Sequence, residues 1–323
     1  MSCKLEDIEI EALSFCIPDT SSGKAVKEQT ASDLAFQAAL KMLETDNIVP
    51  EEVGAIIFLS STPDYRSPAT AMVLQKRLEL PLDLIAFDVN SSGNAFNQGI
   101  QIGHSLLNSS NSRYVLILYG ETPSKRIYFD DKESKSLRDY GAAILIGGSE
   151  SGKSMQLDFF TNSKSWDAIL VKGGGYKNAK PQGEELPYSN LNDPGTLHLD
   201  KNRVEDFQIQ AFENLGVLSK IKTPGIHFIS NFNVKLLNEL TSNPVTVKFL
   251  KSELSNEYAG ATPQIQLQDL INTSKEHKLN LLSINYGEGL LASCLSFEIK
   301  SNILNFSLKS NLAYLEGDIS HDL

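Results

Sequence analysis

Residues 86–107, AFDVNSSGNAFNQGIQIGHSLL from Ala86 to Leu107, decide the fold. Together with the apolar pair before it, Leu84–Val89 predicts a short strand. Ala95–Leu107 predicts a long helix, and a polar turn joins the two. Ser91 and Ser92 suit that turn and suit capping the helix after it. A strand that bends directly into a helix presents its turn residues at the helix N-terminus, so the residue types there decide what chemistry is available.

The same alternation continues on both sides. Ala31–Glu44 carries Leu34, Ala35, Ala38, Ala39 and Met42 at helical spacing, with Thr30 and Asp33 placed to cap it. Val53–Ser60 (VGAIIFLS) is a continuous apolar strand, and Ala69–Leu78 is a helix. Tyr114–Tyr119 and Ala142–Ile146 are strands. Gly173–Gly175 and the proline-bearing stretch Pro181–Pro194 read as loop. The rhythm then resumes, with helices at Val204–Leu215, Val234–Leu240 and Asp269–Glu276 and strands at Gly225–Ile229, Leu281–Tyr286 and Leu291–Ile299. The tail from Ile303 holds an extra strand and a polar end. Near-continuous apolar strands between amphipathic helices predict an α/β chain with mixed sheets covered by helices, in two similar halves, 1–150 and 151–323.

The chain has 323 residues, 41% hydrophobic and 21% charged, with a formal net charge of -11. That length supports a large core that needs no disulfide or metal. Such acidity speaks against wrapping nucleic acid and against docking an acidic carrier protein. The three cysteines, Cys3, Cys16 and Cys294, lack CxxC spacing, and no histidine pairs with a cysteine or carboxylate at metal-ligand spacing. No apolar run reaches transmembrane length and no signal peptide is visible, so a cytoplasmic protein without metal or cofactor is expected.

From Ser60 to Gly147, SSTPDYRSPATAMVLQKRLELP, the stretch quoted first, RYVLILYGE and RDYGAAILIG follow one another. In order and spacing they resemble the N-terminal half of type III ketoacyl-acyl-carrier-protein synthases. The resemblance implies the thiolase-type fold, a layered α-β-α-β-α core. In that family the turn after the FDVN-like strand bears a nucleophilic cysteine, whose thiol pKa a helix N-terminus lowers. Here the cysteine position falls on Gly93. The family's His-Gln-Ala-Asn turn resembles Ser230-Asn231-Phe232-Asn233, which puts the catalytic histidine at Ser230. Its Gly-Asn-Thr-Ser segment resembles Ser255–Tyr258 followed by AGATP, so the catalytic asparagine is retained as Asn256. The glycine-rich segment before the last strand resembles Asn285–Gly289, with Gly287 and Gly289 as oxyanion-hole or simply backbone positions. Met72 matches a position that lines the partner chain's acyl tunnel. Between Ile17 and Ala31 the chain is too short for the family's coenzyme A arm, and the one tryptophan is Trp166.

The resemblance implies a tight dimer formed by the helix from Ala69 and the strand from Leu84. With Cys-His-Asn reduced to asparagine, the chain fits the non-catalytic subunit of a heteromeric condensing enzyme in fatty-acid-like, quinolone-like or polyketide synthesis. A cysteine-bearing homologue, or a second copy, would be its partner. Two alternatives stay open: an acyltransferase acting through Ser92 or Cys16, which would need a base, and a module that binds acyl chains without chemistry. His227 reads as a satisfied strand histidine, His104 as structural, and His198, His277 and His321 as surface residues.

Overall fold

The computed structural model describes residues 1–109, 112–125, 138–149, 152–171, 197–223, 225–232, 236–237, 239 and 259–314. The first half runs β1 (Ser2–Glu6), β2 (Ile8–Pro18), α1 (Ala31–Leu43), β3 (Val53–Leu59), α2 (Thr70–Arg77), β4 (Ile85–Val89), α3 (Ala95–Ser109), β5 (Tyr114–Glu121) and β6 (Tyr140–Gly148). The second runs β7 (Ser154–Thr161), β8 (Ile169–Val171), β9 (Leu197–Leu199), α4 (Lys201–Asn214), α5 (Val217–Ile221), β10 (Ile226–Ser230), α6 (Thr262–Thr273), β11 (Lys278–Gly287), β12 (Leu291–Lys300) and β13 (Leu304–Ser310). Gly173–Gly175, Pro181–Pro194, Asn256 and His321 lie outside the described residues, as does most of the helix expected at 234–240.

Two sheets carry the core. One has the order β13-β2-β6-β5-β3-β4, the other β1-β7-β12-β11-β10. Without their outermost terminal strands, both read outward from the first strand of the half through the same mixed pattern. Each terminus crosses over: β1 pairs antiparallel with β7, and β13 pairs parallel with β2. Strands β5 and β6 are buried on both faces, which explains their unbroken apolar runs. Three apolar clusters separate the layers. One joins α1 and α2 to the outer face of the first sheet, a second packs α4 and α5 on the outer face of the other, and the largest lies between the sheets around α3 and α6. The thiolase-type α-β-α-β-α layering follows from these contacts. Among the described residues no helix is long and apolar enough to cross a membrane.

Most elements lie where their periodicity places them. Helix α1 begins with a full capping box between Thr30 and Asp33. The expected helix Asp269–Glu276 is a correction, because α6 begins at Thr262 and ends at Thr273. Its first two turns carry Gln264, Gln266 and Gln268, all buried. The Gln264 amide donates to Ser14 O at 2.7 Å and accepts from the Tyr119 hydroxyl, Gln266 accepts from Ser230 N at 2.7 Å, and Gln268 donates to Phe306 O at 3.0 Å. Polar residues that find partners in the core hide the helical apolar stripe from a sequence reading. Gly225 is likewise a turn residue, with φ 78°, rather than the first residue of β10.

Candidate active site

Strand β4 ends at Val89, and its Asp88 has already been used. The Asp88 carboxylate accepts the N–H groups of Thr70 and Ala71 at 2.6 and 2.8 Å, so it caps α2. The chain then turns sharply. Ser91 N donates to Val89 O at 2.9 Å and Ala95 N to Ser92 O at 3.0 Å, which starts α3. At the tip, Gly93 meets another backbone. A Cβ built on Gly93 would stand 2.3 Å from Tyr286 O and 2.9 Å from Gly287 Cα. On the far side, a Cβ on Gly260 would stand 2.1 Å from Ser92 O. Three backbones meet where side chains would collide, so even alanine is excluded at residue 93 without displacing main chain.

The turn after β10 closes differently. The buried Ser230 hydroxyl donates to Ile284 O at 2.8 Å and accepts from Phe232 N at 2.9 Å. The next side chain, Asn231, donates to Gly93 O at 2.7 Å and to Tyr286 O at 2.9 Å, and accepts from Tyr286 N at 3.0 Å. Asn231 therefore stitches the β10 turn, the Gly93 turn and the end of β11 together. The first half contains the same device. Ser60, just past β3, donates to Gly120 O at 2.7 Å and accepts from Thr62 N at 2.9 Å. Ser60 and Ser230 hold matching places in the two halves and make matching bonds.

Charged groups surround this seam. Gly93 N points to the exposed Glu288 carboxylate at 3.4 Å. The buried Glu121 carboxylate accepts from Ser61 N at 2.5 Å and from the Ser61 and Thr62 hydroxyls at 3.0 Å. Burial, with Glu121 and then Glu288 nearby, holds the Tyr140 phenol well above its usual pKa. Burial, and less so Glu288, pushes Tyr286 up to about 12.

No family profile matches the chain. It is 25% identical over 271 residues to beta-ketoacyl-[acyl-carrier-protein] synthase III of Clostridium perfringens strain SM101, covering 81% of this chain and 83% of that protein. The synthase III of Fusobacterium nucleatum is 31% identical over 162 residues, half of this chain and 49% of that one. The crystal structure of a 3-oxoacyl-(acyl-carrier protein) synthase from Burkholderia xenovorans LB400 superposes with a TM-score of 0.81 at 21% identity, covering 96% of this chain and 99% of that chain. The chain is similar to ketoacyl synthase III proteins over most of its length. Its two halves and α-β-α-β-α layers are the thiolase-type fold that the synthase III structures share.

Against the synthase III pattern, the structure brings Gly93, Ser230 and Gly287 together around Asn231, and Asn256 is not among the described residues. Gly287 packs on the elbow, where a Cβ would come within 3.0 Å of Asn94 N, and Gly289 turns the chain with φ 74°. Ser92 is buried beside the turn, and the two buried histidines are engaged elsewhere. His104 Nε2 bonds Glu6 O at 2.9 Å, and His227 Nε2 lies 3.5 Å from the Glu276 carboxylate. Burial pushes the Cys16 thiol to about 12 and the Cys294 thiol to about 11, so neither is a thiolate near neutrality. Met72 is 51% exposed on α2, away from the seam.

The short link before α1 is tied down compactly. Ala25 N and Ser124 N both donate to the Asp139 carboxylate, at 2.7 and 3.0 Å, and the Lys125 ammonium donates to Lys27 O at 2.8 Å and to Gln29 O. Among the described residues no group of His, Cys, Asp or Glu could hold a metal ion. Sequence reasoning assigned no role to Asn231, Gly260 or Glu121. Asn231 directly follows a matched position, but its importance comes from carbonyls far away in the chain, which leave no local signal.

Proposed function

We propose that this chain is the non-catalytic subunit of a heteromeric condensing enzyme of the synthase III type. One observation carries the reading: a side chain at residue 93 would stand 2.3 Å from a main-chain carbonyl, so the nucleophile's place is filled by backbone. The matched histidine position supports it, because the Ser230 hydroxyl already has a donor and an acceptor partner. Gly93 then stands for the lost cysteine, Ser230 for the lost histidine and Asn256 for the retained asparagine. The setting is cytoplasmic, and the product is fatty-acid-like, quinolone-like or polyketide.

The partner is a cysteine-bearing homologue, and the meeting surface is β4 with α2. Among the described residues strand β4 ends its sheet, so its outer edge offers N–H and C=O groups to a further strand. Ile85 on that strand is 43% exposed and Met72 stands on the adjoining helix. Two copies of this chain would use the same edge.

The test is co-expression with a cysteine-bearing synthase III homologue, followed by size-exclusion chromatography and intact-protein mass spectrometry after exposure to acyl-coenzyme A and acyl carrier protein. Co-elution, with acyl label on the partner alone, is expected. A stable homodimer that ignores the homologue would remove the heteromeric role. An acyl adduct on this chain that disappears in Ser92→Ala would hand the assignment to serine catalysis.

A further inference from the structure

We propose that the three buried asparagines beneath the Gly93 turn, Asn94, Asn97 and Asn285, enclose a binding site for a single water molecule. The site goes beyond the subunit role proposed above and stands whether or not the chain is catalytic. All three side chains are at most 1% exposed. They come from both halves, Asn94 from the turn before α3, Asn97 from α3 and Asn285 from β11, and two serines tie them together. The Ser293 hydroxyl donates to Asn94 Oδ1 at 2.6 Å and accepts from Asn97 Nδ2 at 2.9 Å. Asn97 Nδ2 also reaches Ser283 O at 3.2 Å, and Asn285 Nδ2 donates to Ser283 Oγ at 2.8 Å. Ser293 lies directly across from Asn285 in the β11–β12 register.

Each amide is left with one unpaired atom: Asn94 Nδ2, Asn97 Oδ1 and Asn285 Oδ1 have no protein partner among the described residues. The Asn97 amide is held in this orientation because its Nδ2 faces the Ser283 and Ser293 carbonyls, and the Ser293 hydroxyl, which accepts from it, gives its own proton to Asn94 Oδ1. Buried polar atoms are nearly always satisfied, by protein or by ordered water.

The unpaired set names the ligand class. One donor and two acceptors suit a molecule that accepts one hydrogen bond and donates two, which is the usual bonding of a buried water. A cation would face the Asn94 N–H, and an anion would face two carbonyl oxygens. Only a small neutral amphoteric molecule meets all three.

A crystal structure of the full chain at a resolution that shows ordered solvent tests this. One peak within about 3.2 Å of all three atoms is expected. A site without such a peak, or with a peak that misses any of the three, overturns the proposal. In solution, oxygen-17 relaxation dispersion counts long-lived internal waters. The variant Asn285→Leu should hold one fewer than the wild type, and an unchanged count also overturns it. Should that variant fail to fold, the wild-type crystal structure decides alone.

Discussion

The turns after β3 and β10 hold equivalent places in the two halves, and each begins with a serine wired the same way. Ser60 and Ser230 each donate to a carbonyl on the neighbouring strand and accept the N–H two residues on. The difference lies in the residue that follows. Ser61 turns to the Glu121 carboxylate within its own half, whereas Asn231 reaches across to Gly93 in the other. The matched histidine position has thus taken the structural arrangement of its twin, and its neighbour has become part of the joint between halves. Under the proposed subunit role, residue 93 is closed by volume and residue 230 by its saturated hydrogen bonds.

The largest expected effect bears on the closed side of this comparison. Gly93→Cys should lower stability by about 3 kcal/mol, the upper range for overpacking, because the clash is with main chain. Urea unfolding measures it, and mass spectrometry should find no acyl adduct on the new thiol. A variant as stable as wild type that accepts an acyl group would show an open elbow and end the comparison.

Next come the residues after the two serines. Asn231→Ala strands Gly93 O, Tyr286 O and Tyr286 N, and should cost about 2 kcal/mol. Ser61→Ala leaves Glu121 with other donors and should cost about 0.5 kcal/mol. Equal costs would mean that the joint between halves does not run through Asn231.

The twin serines should then behave alike. Ser60→Ala and Ser230→Ala should each cost about 1 kcal/mol, the worth of a buried hydrogen-bonded hydroxyl. An acyl-transfer activity lost in Ser230→Ala and kept in Ser60→Ala would give Ser230 a chemical role that its wiring does not suggest.

The smallest effect concerns one thiol in each sheet. Cys16 and Cys294 should resist a disulfide reagent in the folded protein at neutral pH and react after unfolding. Burial raises both pKa values above the ordinary 9.0, to about 12 and about 11. The folded state therefore holds these protons more tightly than the unfolded chain. Their contribution to stability is complete below pH 9 and is lost as pH rises toward 11 and 12. A urea midpoint that rises across that window would contradict the assignment.

Much of the architecture was legible in the residue order. Apolar runs at Val53–Leu59 and Tyr114–Glu121, the Thr30–Asp33 cap and the FDVNSSGNAF bend mark elements that the coordinates place within a few residues. Helix α6 was half missed, because Gln264, Gln266 and Gln268 look solvated in a linear reading and are in fact buried against carbonyls and a phenol. By itself the sequence determined the resemblance to synthase III proteins, the strand-to-helix bend and the glycine at residue 93, since each depends on local residue types in a fixed order. Only the tertiary structure decided that the space beside Gly93 is filled by Tyr286 and Gly287, that Asn231 laces the halves together, and that Ser230 mirrors Ser60. Those facts depend on which carbonyls arrive from distant parts of the chain, and that is settled by packing rather than by neighbours in sequence.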